Sequence, residues 1–346
     1  MKRKLLFVLL LPFAIVACGP SRVVNILVTR PAAISFPPEV KSLAIVDRTR
    51  PESRALNILE GIFSGEMPEE DRIAAQEAVN SLRNELGNSP RYSVRLCPER
   101  LNGNSLTAAF PEPLSWQKVG EICERENSEV LLSLEIMDSD FIVTNGSRIR
   151  NRREGAREVA FTEFYAQGLG NIKMGIRAYY PKTNAILDQQ IVNTSRSWEG
   201  VGNSAAAAAA LLINKAEANR QLARMIAADY AYKISPMPVW VNRSMYGKSR
   251  HCPEIESGRR FADVGKWKEA GEIWKNAVPA APDPKTAGML AYNTAVAFEV
   301  LGDLNLALQW AQDSYTRYGN PQGRNYAQVI QQRMREEEIL KQQMNR

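Results

Sequence analysis

Hydrophobic and polar positions change period several times along this chain, and each change marks an element. Residues 23–28 and 43–46 are short aliphatic runs, with Pro31, Pro37 and Pro38 punctuating the connection, and they predict two strands. From Asp71 the period becomes helical. Ala75, Val79, Leu82 and Leu86 recur at steps of four, three and four, lining one face of a helix that Gly87, Asn88, Ser89 and Pro90 end. Residues 92–96 return to a strand pattern. Ser115 is placed to cap a second helix with Trp116, Val119 and Ile122 on one face, and the apolar run 130–136 predicts a buried strand. The order is β-β-α-β-α-β.

In the middle of the chain Ile172, Met174, Ile176, Ala178 and Tyr180 alternate with Lys173, Gly175, Arg177 and Tyr179, the period of a half-buried strand. Residues 181–184 supply a turn, and 185–192 return as the hairpin partner. One long helix is expected from near Ser204, with Leu211, Ala218, Leu222, Ile226 and Tyr230 along one side, ending before Pro236 and Pro238. The alanine run 205–210 is then helix and not linker. These elements define an N-terminal mixed-sheet α/β domain over residues 41–245, of the α+β or α/β class.

The back of the chain is helical throughout and carries a repeat. Gly265, Trp267, Ala270, Trp274 and Pro282 are spaced as in the second helix and exit of a tetratricopeptide (TPR) repeat, and Gly302, Leu304 and Ala307 repeat its first part. Residues 250–346 therefore resemble a TPR-like domain of helical hairpins. Small residues at Ala270, Ala277, Ala295 and Ala307 let paired helices approach, while Trp267, Trp274 and Trp310 fill the gaps between them. Two features depart from the pattern: the glycines are 37 residues apart instead of the usual 34, and Ala311 stands where a large aromatic is expected. Residues 325–341 predict a polar terminal helix.

The N-terminus sets the expected address. Lys2, Arg3 and Lys4 precede the apolar stretch 5–16, and Ile15, Val16 and Ala17 lead into Cys18 in the pattern of a bacterial lipobox. Residues 1–17 are expected to leave as a signal peptide, since secretory apolar regions run about 7–15 residues and spans need about 20. Cys18 is the expected lipid attachment site, residues 18–40 the lipidated N-terminus and first strand, and the cell envelope, most plainly the outer membrane, the location. Composition then narrows the partners. Of a formal charge of +6, three positive residues lie in the signal, leaving about +3, too little for a nucleic-acid binder. Cys97, Cys123 and Cys252 remain, which leaves open one disulfide or three buried thiols.

Catalytic patterns are missing. Gly247, Lys248 and Ser249 end like a phosphate-binding loop, but Asn242 replaces the first glycine and Pro253 opposes the helix that must follow. His251, the single histidine, has Cys252 beside it and no second base or ligand, so both read as surface linker residues. Gly61 to Gly65 misses the nucleophile-elbow spacing, and Glu69, Glu70 and Asp71 suit a helix start. No cofactor, no metal and no catalytic residue is expected. Arg148, Arg150, Arg152, Arg153 and Arg157 crowd a loop or hairpin tip, where guanidinium forks suit envelope phosphates and carboxylates. Glu154 and Glu158 interrupt that charge, which equally fits a solvated loop, and no lipid-facing apolar alternation accompanies it.

Several stretches together resemble the Bacteroidetes lipoprotein family known as domain of unknown function 6340: the lipobox, Thr29-Arg30-Pro31-Ala32 followed by Leu43-Ala44-Ile45-Val46-Asp47-Arg48, Ser133-Leu134-Glu135, and the Ser235-Pro236 junction. The resemblance covers nearly the whole chain. In element order the front domain is also similar to CsgG-like and LpoB-like outer-membrane lipoproteins. Neither family supplies catalytic residues. The expected function is a non-catalytic envelope lipoprotein that binds a protein partner through its TPR-like module and the membrane through Cys18; the alternatives are an oligomerising part of an export or assembly machine and a cell-wall-acting enzyme.

Overall fold

The computed structural model of the protein describes residues 21–51, 68–104 and 109–344. They fall into two compact units, one built from described residues of 29–238 with 339–344, the other from 239–338 with 21–28. The first strand, β1 (Ser21–Arg30), does not join the front sheet. It pairs with β7 (Met237–Tyr246) in a two-stranded sheet, because Val24, Ile26 and Val28 bury against the helical core of the back unit. The aliphatic run at 23–28 thus belongs to the back unit, and β7 was not anticipated.

The front unit is a five-stranded mixed sheet in the order β3-β2-β4-β5-β6, formed by β2 (Ser42–Pro51), β3 (Ser93–Asn104), β4 (Val130–Glu154), β5 (Arg157–Tyr180) and β6 (Ala185–Gly202). β2 runs parallel to β3 and β4, while β4, β5 and β6 are antiparallel. Strand alternation divides the core between two faces. Leu43, Ile45, Leu132, Leu134, Ile176 and Ala178 pack with α1 (Pro68–Gly87), and Ala44, Val46, Leu131 and Tyr179 pack with Val119 and Ile122 of α2 (Trp116–Arg125). Ser115 caps α2 by accepting from the Lys118 amide, as its position implies. Because α2 covers the second face, the inner end of β5 is buried on both sides instead of half-buried, and the Tyr179 ring meets Trp116 edge-on at 5.9 Å.

Two further expectations change. The long helix is two helices, α3 (Ala205–Leu211) and α4 (Lys215–Ile234). Leu212 is extended, and Asn214 starts α4 by accepting from the Glu217 amide, so Leu211 is exposed and does not share the apolar side of α4. β4 and β5 are also far longer than their apolar runs, continuing as a ladder to the pair Glu154 and Arg157. Beyond Phe164 toward this tip the hairpin is a two-stranded ribbon whose polar composition carries no core signal. The C-terminal residues also contribute here: the Gln343 amide donates to the Ala32 carbonyl at 2.8 Å and the Ser35 hydroxyl at 2.7 Å and accepts from the Ala32 amide at 2.8 Å. The front unit therefore does not end at 245.

The back unit stacks α5 (Pro253–Asp263), α6 (Trp267–Ala277), α7 (Pro284–Val300), α8 (Leu304–Thr316) and α9 (Pro321–Met344). The turns ending α5 and α7 are the same turn. The Lys266 amide donates to Phe261 and Gly265 to Ala262, while Asp303 donates to Phe298 and Gly302 to Glu299. Gly265 and Gly302 adopt φ of +79° and +84°, the left-handed C-cap that glycine accommodates.

Candidate functional site

The sequence places one charged residue, Glu135, inside the apolar run of β4, where an unpaired carboxylate would be prohibitively costly to bury. Strand alternation puts its side chain on the α2 face with Leu131, and a register shift between Leu134 and Ile136 makes Glu135 an extra residue against β5, a bulge. There it is fully buried and fully engaged. Arg177 of β5 donates at 2.7 Å, Tyr179 at 2.9 Å and Arg48 of β2 at 3.3 Å. Arg177 also donates to Gln189 and the Pro111 carbonyl, each at 2.7 Å, and lies over the Phe110 ring. Beside it Asp47 accepts from Arg100 at 2.5 Å and from Thr49. Burial and then the Glu135 charge push the Tyr179 hydroxyl above its ordinary value, so it stays a proton donor to the carboxylate. The cluster locks three strands together through a neutralised buried charge.

The back unit holds a second such cluster. Glu299, near the end of α7, is fully buried and accepts from Arg243 of β7 through two guanidinium nitrogens at 2.9 Å, from Arg333 of α9 at 2.8 Å and from Tyr326 of α9. Burial pushes the Glu299 carboxyl up, but hydrogen bonds from Arg243, Arg333 and Tyr326 outweigh it and hold the group below the usual carboxylate range. Burial pushes Tyr326 well above its ordinary value. Sequence reasoning missed both clusters as sites. Its available signal was a lone Glu in an apolar run, which demands cationic partners without naming them.

The anticipated residues distribute as follows. Cys18 and Gly61 to Gly65 lie outside the described residues. Arg148, Arg150, Arg152 and Arg153 lie on β4 and Arg157 on β5, flanking a turn at 155–156, so of the two expected settings, loop or hairpin tip, the structure has the hairpin tip. Arg148 pairs with Glu163 at 2.5 Å and with both oxygens of Glu199 at 2.8 and 3.1 Å, and lies over the Tyr165 ring. Arg150 also reaches Glu163, and Arg152 reaches Glu154. Three of the five guanidinium groups are thus partnered by carboxylates of the chain itself. His251 is exposed, whereas Cys252 is buried at the start of α5, donating to Glu254 at 3.1 Å, and is no surface residue. Cys97, Cys123 and Cys252 are free thiols, and burial pushes Cys97 up to about 12.

The proposed helical packing positions converge. Trp274 and Ala270 are fully buried, Trp267 packs against the same core, and the Trp274 indole donates to the Ile255 carbonyl at 3.2 Å. Pro282 precedes the Asp283 cap of α7, Gly265 and Gly302 form the turns, and Ala307 is fully buried. A separate cleft of about 680 Å³ opens beside the starts of β2 and β3, lined by Lys41, Ser42, Ser93, Arg95, Glu129 and Lys182 among others. Glu129 is spent there on the amides of Lys41 at 2.6 Å and Ser42 at 3.0 Å. Among the described residues no three His, Cys, Asp or Glu side chains are grouped to hold a metal, and no helix is long and apolar enough to cross a membrane.

Fold and clusters define a chain of two units, a mixed sheet covered by helices and a set of paired helices. Residues 40–246 match the family described as domain of unknown function 8603, and the chain belongs to that family. Residues 256–338 match domain of unknown function 6340, so that family's likeness is confined to the helices and does not run over nearly the whole chain. No curated protein matches the chain. Among solved structures, the PelC dodecamer from Paraburkholderia phytofirmans is 12% identical over 62% of this chain and 99% of its own, with a TM-score of 0.25. The hypothetical protein CT253 from Chlamydia trachomatis is 12% identical over 56% of this chain and 98% of its own, also at 0.25.

Proposed function

We propose that the protein is a lipid-anchored cell-envelope scaffold, held by an acylated Cys18 and presenting a TPR-like module to a protein partner. The observation that carries this reading is the recurrence, 37 residues apart, of one hairpin turn with small residues at the helix contacts, Ala270 in α6 and Ala307 in α8. Paired helices stacked in this way leave an extended surface suited to binding a peptide or helix. The lipobox supports the anchor: stable attachment without a span needs acyl chains, each methylene contributing about 0.8 kcal/mol when buried.

The test is comparative capture of envelope partners by wild-type protein, Trp274→Ala and Cys18→Ala. Trp274→Ala removes the largest fully buried side chain and should cost about 3–5 kcal/mol. It is expected to lose the captured partners while the front unit stays folded and membrane-bound. Cys18→Ala is expected to remain unprocessed or soluble. Retention of every partner by Trp274→Ala, with its helices demonstrably unfolded, moves the binding surface forward; membrane fractionation of Cys18→Ala equal to wild type removes the anchor.

A further inference from the structure

The β1–β7 sheet has an inner face that belongs to the core and an outer face on which Val23, Leu27 and Trp240 stand exposed among the described residues. Val24, Ile26 and Val28 are buried, and between them Val23 and Leu27 stand 69% and 54% exposed. On β7, Val239 and Val241 pack inward while Trp240, Asn242 and Ser244 face outward, Trp240 with 68% of its surface exposed. An indole, a leucine and a valine on one open sheet face, interspersed with Asn25, Asn242 and Ser244, is an amphipathic surface with polar groups at the depth of the apolar ones.

We propose that this face docks on a lipid surface, with Trp240, Val23 and Leu27 in the headgroup layer. The inference rests on the reading of Cys18 as the acylated residue. Cys18 precedes Ser21 by three residues, and a residue spans at most about 3.6 Å, so the start of β1 lies within about 11 Å of the lipid-bearing cysteine. That tether brings the sheet to the membrane surface whatever the rest of the chain does. Tryptophan prefers this layer because its ring is apolar and its N–H requires a polar partner. A second copy of the chain or a protein partner is less well matched, since neither explains why the apolar face lies at the anchored end.

The test is full-length protein, carrying its native N-terminal modification, reconstituted into phosphatidylethanolamine–phosphatidylglycerol vesicles whose acyl chains include a brominated fraction that quenches indole on contact. Quenching present in wild type and lost in Trp240→Phe supports the docking face. Equal quenching in the two proteins overturns it, as does protection of Trp240 that depends on protein concentration and not on bromine. Mass spectrometry of the N-terminal peptide reads the anchor separately. Trp240 quenching without an acyl group on Cys18 retains the face and removes the anchor, whereas an acylated Cys18 with unquenched Trp240 retains the anchor and removes the face.

Discussion

The two helical hairpins of the back unit share a turn and differ in what they put at equivalent places. Shifting by 37 residues superposes Phe261 on Phe298, Gly265 on Gly302 and Ala270 on Ala307, but it also sets Gly258 against Ala295, Trp274 against Ala311 and Ala262 against Glu299. The first two differences compensate. A Cβ on Gly258 would lie 2.3 Å from the Trp274 indole nitrogen, so the glycine makes room for the ring, while the second hairpin pairs two alanines and needs neither. The missing aromatic at 311 is therefore a volume exchange across the helix pair, of the kind that cores tolerate when total volume is kept. The third difference is not compensated within the hairpin. Glu299 puts a carboxylate at the C-terminal end of a helix, where the dipole disfavours it, and requires Arg243 and Arg333 from outside.

The largest expected effect breaks that third difference. Glu299→Ala leaves two half-buried guanidinium groups and the buried Tyr326 hydroxyl without their acceptor, and should destabilise the back unit by about 3–5 kcal/mol in denaturant unfolding. Ala at this position restores the residue of the first hairpin, so a neutral result would show that the two hairpins are interchangeable and the cluster ornamental. The pH dependence has a fixed sign. Because the folded carboxyl is held below its usual range, its contribution is present above the unfolded value, about 4.3, and disappears as pH falls through the lower folded value. Acid sensitivity of the back unit should therefore flatten in Glu299→Gln, measured by circular dichroism between neutral and acid pH.

How much of this the sequence disclosed depended on range. Periods of two and about four located both α1 and α2, the inner ends of β2, β4 and β5, and the helical hairpins, because those signals lie within a few residues. Pairings between distant residues were not legible: β1 with β7, Arg48 and Arg177 with Glu135 across 87 and 42 positions, Gln343 with Ala32 across 311. Glu135 and Glu299 announced that partners exist, since a lone carboxylate in an apolar run demands them, yet nothing local chooses which arginine arrives. The length of the outer hairpin was not legible for the opposite reason, since it has no apolar face of its own to set a period, although its tip among the arginines was one of the two readings.

A smaller effect sharpens the volume exchange. Gly258→Ala should cost about 1–3 kcal/mol, because the new methyl meets the rigid, hydrogen-bonded Trp274 ring and one of the two must move. The same residue at the equivalent place in the second hairpin, Ala295, is native and fully buried. Combining Gly258→Ala with Trp274→Leu should recover part of the loss, which a double-mutant cycle by thermal or denaturant unfolding measures directly. Additive losses would mean that the glycine serves some contact other than the tryptophan.

The smallest effect concerns what the hairpins share. Gly265 and Gly302 both occupy left-handed backbone, and an added Cβ at either would meet no atom within 4 Å, so a substitution there is opposed by conformation alone and not by crowding. Alanine in that region costs about 1–2 kcal/mol relative to glycine. Gly265→Ala and Gly302→Ala are therefore expected to destabilise the back unit equally, and Asn at either position, which tolerates left-handed geometry, should cost less than Ala. Equality is the informative result. Gly302 follows Glu299 by three residues and donates its amide to the Glu299 carbonyl, so a loss at Gly302 well beyond that at Gly265 would reveal that the turn positions the carboxylate cluster as well as ending the helix.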